Sequence, residues 1–120
     1  MLGGGMRQAG VLAAAALHAL EHHVARLAED HAAARAFADA LRGAPGIEAP
    51  SVVDTNIVQF AVTRFSAAQL AGQAAERGVL LNATGSRTLR AVTHLDLSAV
   101  DAVDAAKILV ELASGQRPRA

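Results

Sequence analysis

The pattern that most constrains this chain is a helical one that opens at Met6 and runs with little interruption to Arg42, close to a third of the 120 residues. Leu20, Val24, Leu27, Ala34, Ala38 and Leu41 recur at spacings of three, four or seven, the apolar stripe of an amphipathic helix. Glu21, Arg26, Glu29, Asp30, Arg35 and Asp39 fall mostly outside that stripe. So long a helix is unusual in a compact domain, which predicts a break near residues 21–24, where polarity rises at His22 and His23. Its first part, Ala9 to Leu17, is apolar nearly all round. A helix of that kind is buried on several sides, and the rest of the chain offers little to surround it. The expectation is a surface that belongs against something larger.

Gly43-Ala44-Pro45-Gly46 stops the helix, a glycine at its end and a proline just beyond. Ile47 to Val53 reads as a short strand that Pro50 confines to a sheet edge. Asn56 to Thr63 is the clearest strand: Val58, Phe60 and Val62 alternate with Ile57, Gln59 and Ala61. Ser66 with Gln69 forms a capping box for a helix through Ala75 to Gly78. Val79 to Leu81 is expected as a strand, Asn82 to Ser86 as its turn and Leu89 to Thr93 as the returning strand of a hairpin. Ser98 with Asp101 caps a last helix that runs to about Ala113. Gly115 to Ala120 has the composition of a frayed tail.

This order predicts an α+β fold, a long broken N-terminal helix and a small antiparallel sheet of three or four strands covered by helices. Much of the 52% hydrophobic content is alanine and only 2% of residues are aromatic. The core therefore leans on Leu, Val, Ile and three Phe. With 11 basic and 11 acidic side chains, no basic stripe is available for a phosphate backbone, and nucleic acid is an unpromising partner. No cysteine is present, which removes disulfides and thiolate metal sites and fits a reducing cytosol, so a cytoplasmic location is expected. The apolar run from Ala9 to Leu20 is too short to cross a bilayer, which takes roughly 20 residues, so no membrane partner is expected.

Several residue groups have chemical possibilities. Arg90, Val92 and His94 share one face of the last strand, and a planar guanidinium there can grip a carboxylate through two parallel hydrogen bonds. The competing reading is an arginine that meets solvent or pairs with Asp96. His18-Ala19-Leu20-Glu21-His22 matches the H-x-x-E-H zinc pattern, with two histidines one turn apart. A third ligand has no marked source, and a plain polar helix face is the competing reading. Gly3-Gly4-Gly5-Met6-Arg7-Gln8 places glycines and Arg7 ahead of a helix start, whose free amides favour anions. No P-loop pattern follows. Asn56 belongs to an Asp54-Thr55-Asn56 turn, its side chain expected on local backbone. Lys107, the single lysine, is expected to face solvent rather than act as a catalytic amine.

Four blocks in order carry a resemblance over almost the whole chain. They are Met1-Leu-Gly-Gly-Gly-Met-Arg-Gln-Ala-Gly10, Leu20-Glu-His-His-Val24 with Leu27-Ala-Glu-Asp-His31, Asp54-Thr-Asn-Ile-Val58, and Arg90-Ala-Val-Thr-His-Leu-Asp96. Together they resemble the low-specificity L-threonine aldolases, pyridoxal-phosphate enzymes of the aspartate-aminotransferase fold type within the wider β-eliminating lyase group. The resemblance implies the small domain of a fold type I enzyme: residues 1–43 as interdomain and subunit-contact helices, 44–115 as the C-terminal α+β domain, and 116–120 as tail. Family members are about three times longer, in keeping with two-domain size, and the Schiff-base lysine lies in their N-terminal part. Lys107 falls in a different block and does not replace it.

By motif position, the resemblance makes Arg90 the residue that binds the substrate α-carboxylate and Arg7 the arginine that approaches the pyridoxal 5'-phosphate of a neighbouring subunit. The implied reaction of the full-length family is reversible cleavage of a β-hydroxy-α-amino acid, such as L-threonine, to glycine and an aldehyde. For this chain alone the expectation is a C-terminal fragment with no turnover and no stably bound cofactor. Its amino acid substrate is expected through the missing large domain, and the chain itself is expected as a homo-oligomer or docked to an N-terminal cofactor domain. The alternatives are a non-catalytic interaction module or one half of a split enzyme.

Overall fold

The computed structural model describes residues 4–115; the expected tail at 116–120 lies outside them. The elements in order are α1 (Ala9–His22), α2 (Leu27–Leu41), β1 (Ile47–Glu48), β2 (Ile57–Val62), α3 (Ala67–Ala75), β3 (Asn82–Ala83), β4 (Thr88–Val92) and α4 (Ala99–Ser114). The strands form one antiparallel sheet in the order β1-β2-β4-β3. The fold is α+β, with four strands and four helices.

Burial alternates along β2, so Val58, Phe60 and Val62 enter the core while Ile57 and Gln59 face outward. Val58 pairs with Ala91 and Phe60 with Leu89, which puts all five apolar side chains on the helix-covered face. From the other side come Phe37 and Leu41 of α2, Leu70 of α3 and Leu109 of α4. The rings of Phe37 and Phe60 meet at a centroid distance of 6.0 Å, within the range of favourable tilted pairs. Ala34 and Ala38 of α2, with Ala102 and Ala106 of α4, are fully or almost fully buried. Alanine at these positions lets α2 and α4 pack closely. The alanine bias thus builds a helix contact rather than diluting the core.

The predicted break falls at residues 23–26, between α1 and α2. Both capping boxes form: the Ser66 hydroxyl accepts from Gln69 N–H, and the Ser98 hydroxyl accepts from Asp101 N–H. Gly43, after α2, has φ +74°, the left-handed conformation that stops a helix. β1 stands at the sheet edge where Pro50 put it, shortened to two residues.

Four expectations are corrected. Residues 79–81 are not a strand; β3 begins at Asn82. Val79 N–H returns to the Ala74 carbonyl at 2.9 Å and Gly78 N–H to the Ala75 carbonyl at 3.0 Å, with Gly78 at φ +82°. These bonds form a Schellman motif, so Val79 is still closing α3 when the pattern would have it in the sheet. Asp30, expected outside the apolar stripe, is buried, its carboxylate held by Arg26 Nη2 at 3.2 Å. Conversely, Leu20, Val24 and Leu27 of that stripe are exposed.

The fourth correction concerns α1. Expected to be buried on several sides, it buries no residue at all. Val11, Leu12, Leu17 and Leu20 stand in the open, because among the described residues no element packs closely against them. The radius of gyration, 17.4 Å, exceeds the value of about 14 Å for a compact chain of this length, as expected of a projecting helix.

Candidate functional site

The site is built on β4 and the turn that follows it. Leu89 and Ala91 point into the core, so Arg90 between them lies on the opposite face of the sheet. Its pairing partners are Gln59 on one side and Asn82 on the other. Arg90 is half-buried, and its Nε is fully buried with no hydrogen-bond partner among the described residues. A buried donor left unmatched costs about 1–3 kcal/mol, so an acceptor at this point would relieve the chain of an existing penalty. The competing pairing with Asp96 does not form: Asp96 lies in the open beside His94, with 3.8 Å between its carboxylate and His94 Nδ1.

Arg90 lines a groove of about 380 Å³, walled by Ala71 and Ala75 of α3, Leu81, Asn82 of β3, and His94. Leu80, Leu81, Val92 and His94 separate it from a second cavity of about 400 Å³ between β4 and α4, which is lined mainly by apolar side chains including Phe37, Leu97 and Ile108.

The strand end is locked in place by Thr93. Its hydroxyl donates to the Asp30 carbonyl at 2.7 Å and its N–H to the Asn56 carbonyl at 2.9 Å. Asn56 Nδ2 donates back to the Thr93 carbonyl at 2.8 Å. The expectation of a purely local turn role for Asn56 is therefore corrected; the local bond is made by Thr55, whose hydroxyl accepts from Ile57 N–H at 3.1 Å. Thr93 and Asp30 had no signal in the sequence, because their bond spans 63 positions. Beyond His94 the chain turns into α4, where the Ser98 hydroxyl and N–H both bond the Asp101 carboxylate. The side-chain bond first, then the backbone bond, hold that carboxyl below its ordinary value.

The other sequence candidates lie elsewhere. Arg7 is exposed in the turn before α1, a helix whose N-terminus has no side-chain cap. The imidazole rings of His18 and His22 are 4.4 Å apart on α1, with His23 beside them, but no group of three potential metal ligands gathers among the described residues. Lys107 is on the exposed side of α4, its Nζ 2.7 Å from Asp104 Oδ1.

Pyridoxal phosphate, implied by the resemblance, calls for a sheltered lysine and a phosphate cradle at one place. The chain's single lysine is an exposed ion-pair partner on α4, and Arg7 stands before α1, which buries no residue. The described residues do not assemble a site for that cofactor. What they do bring together is the Arg90 guanidinium and a groove beside it.

Comparison with known proteins places the chain in a family. The family model described as beta-eliminating lyase matches residues 1–65. Over 98 residues the chain is 48% identical to the low specificity L-threonine aldolase of Escherichia coli (strain K12), covering 82% of this chain and 28% of that protein. Over 104 residues it is 38% identical to the probable low-specificity L-threonine aldolase 2 of Arabidopsis thaliana, covering 83% of this chain and 29% of the relative. The chain thus spans under a third of the length of these relatives. Among solved structures, MppP soaked with the product 2-ketoarginine shares the fold, with a TM-score of 0.62 at 14% identity, over 81% of this chain and 30% of that one.

Proposed function

The chain belongs to the beta-eliminating lyase family, and on that premise we propose that it is the C-terminal, carboxylate-gripping part of a threonine-aldolase-like enzyme. The observation that carries the reading is Arg90, a half-buried arginine with an unmatched Nε in a groove at the end of a rigidly held strand. A guanidinium fixed in this way binds a planar carboxylate through two parallel hydrogen bonds, and it orients the α-carbon of an amino acid by holding the group next to it.

The reaction assigned to the complete enzyme is reversible cleavage of a β-hydroxy-α-amino acid, L-threonine among them, to glycine and an aldehyde. This chain's share is binding and orientation. The bond-breaking chemistry belongs to pyridoxal phosphate held by residues outside this sequence, with Arg7 approaching the cofactor phosphate of a neighbouring subunit. Residues 1–43 serve as the interdomain and subunit contact and residues 44–115 as the small domain. The apolar side chains that α1 leaves open are covered by the large domain or by a second subunit. Alone, the chain neither turns over substrate nor holds cofactor stably.

A chimera tests the assignment. The C-terminal segment of the Escherichia coli low specificity L-threonine aldolase that matches this chain is replaced by residues 1–120, and acetaldehyde release from L-threonine is followed. Cleavage well above that of the truncated enzyme supports the proposal. A folded, cofactor-loaded chimera without cleavage counts against it.

A further inference from the structure

We infer that Asn82 is a second carboxylate-positioning residue, its side-chain amide donating to the same small carboxylate that Arg90 holds. This rests on the reading of Arg90 given above and extends it. Asn82 stands directly opposite Arg90 in the β3–β4 pairing. Residues opposed in this way leave the sheet on the same face, with their Cβ atoms about 4.5–5.5 Å apart. Both line the same groove of about 380 Å³. The hairpin turn is closed by Thr84 and Gly85, which bond the Thr88 carbonyl, so the Asn82 amide is not used to close it.

The chemistry of the ligand asks for such a donor. An ionised carboxylate offers about four lone-pair sites. A two-pronged contact with Arg90 through Nε and one Nη satisfies two of them and removes the penalty on the buried Nε. An amide N–H one strand away is placed to meet a third. Gln59 provides the internal comparison: it opposes Arg90 from the other neighbouring strand, carries the same functional group, and does not line the groove. An effect of position rather than of amide chemistry must therefore separate Asn82 from Gln59.

The test uses the chimera described above, with initial rates of L-threonine cleavage giving KM and kcat separately. Asn82→Ala should raise KM about fivefold at nearly unchanged kcat, the weight of one hydrogen bond shared with water. Asn82→Asp, which keeps the size and adds a like charge, should raise KM further. Gln59→Ala should leave it within about 1.5-fold of the parent chimera. Equal KM in the parent chimera and in the folded Asn82→Asp variant would overturn the inference while leaving Arg90 in place. A KM that Arg90→Gln leaves unchanged overturns the reading of Arg90 and this inference with it.

Discussion

Asn56 and Thr93 bind each other from both sides: the Asn56 amide donates to the Thr93 carbonyl at 2.8 Å, and the Thr93 N–H donates to the Asn56 carbonyl at 2.9 Å. Thr93 adds a third bond, from its hydroxyl to the Asp30 carbonyl at 2.7 Å. Through these contacts the strand carrying Arg90 is tied both to β2 and to the first turn of α2. Removing the Asn56 amide leaves a partly buried carbonyl short of a donor. Asn56→Ala should lower the unfolding free energy by about 1–2 kcal/mol, read from the urea midpoint at unchanged slope.

Gly46 has φ +85°, and a Cβ there would come within 3.2 Å of both the Ala113 carbonyl oxygen and the Arg64 side chain. Arg64 is itself engaged, its Nη1 donating to the Ser114 carbonyl at 3.2 Å. Gly46→Ala should therefore destabilise the chain by roughly 1–3 kcal/mol. Gly72 lies in α3 with open space around it, and Gly72→Ala should stabilise by about 0.5–1 kcal/mol. Thermal unfolding of the two variants side by side separates the effects by sign.

Asp101 gives the start of α4 a dependence on pH. Its carboxyl is held below the ordinary value chiefly by the Ser98 hydroxyl and next by the Ser98 N–H. A carboxyl lowered by folding adds stability above its unfolded pKa, and that contribution is lost as pH falls through the folded value. The start of α4 should therefore fray only below about pH 4. Ser98→Ala should move the Asp101 titration upward, toward the ordinary value, and lower the thermal midpoint at neutral pH. A carbon-13 titration of the Asp101 carboxyl checks both the direction and the dependence on Ser98.

Removing α1 should leave the rest of the fold intact, since no residue of Ala9–His22 is buried. A chain starting at His23 should melt within about 2 °C of the full one. It should also self-associate less, because Val11, Leu12, Leu17 and Leu20 no longer expose apolar surface. Sedimentation of the two chains measures the difference.

Local signals were legible in the sequence wherever chemistry and neighbours in the chain decide the outcome. The capping boxes at Ser66 and Ser98, the stop at Gly43, the break after His22 and the alternation of Val58, Phe60 and Val62 all depend on residues a few positions apart. Arg90 on the outer face of β4 followed from the same alternation. Its loneliness did not, because Asp96 is near in sequence and the turn at His94 carries it away. Asn82 read as a turn residue because Gly78 and Val79 were still finishing α3, which delayed the strand by three positions. The Asn56–Thr93–Asp30 lock joins three distant segments and had no local trace. The apolar character of Ala9 to Leu17 was plain, but a helix pattern says only that surface must be covered, not by what.

The most direct measurement is the kcat/KM for L-threonine of the chimera with the Escherichia coli enzyme, compared with its Arg90→Gln variant. If Arg90 grips the α-carboxylate, the variant should lose about 100-fold or more in kcat/KM, in keeping with about 2–5 kcal/mol for removing one partner of a buried charge pair. Its cofactor absorption should remain unchanged. A variant that keeps kcat/KM within about threefold of the parent chimera, under 1 kcal/mol, would show that the carboxylate is held elsewhere.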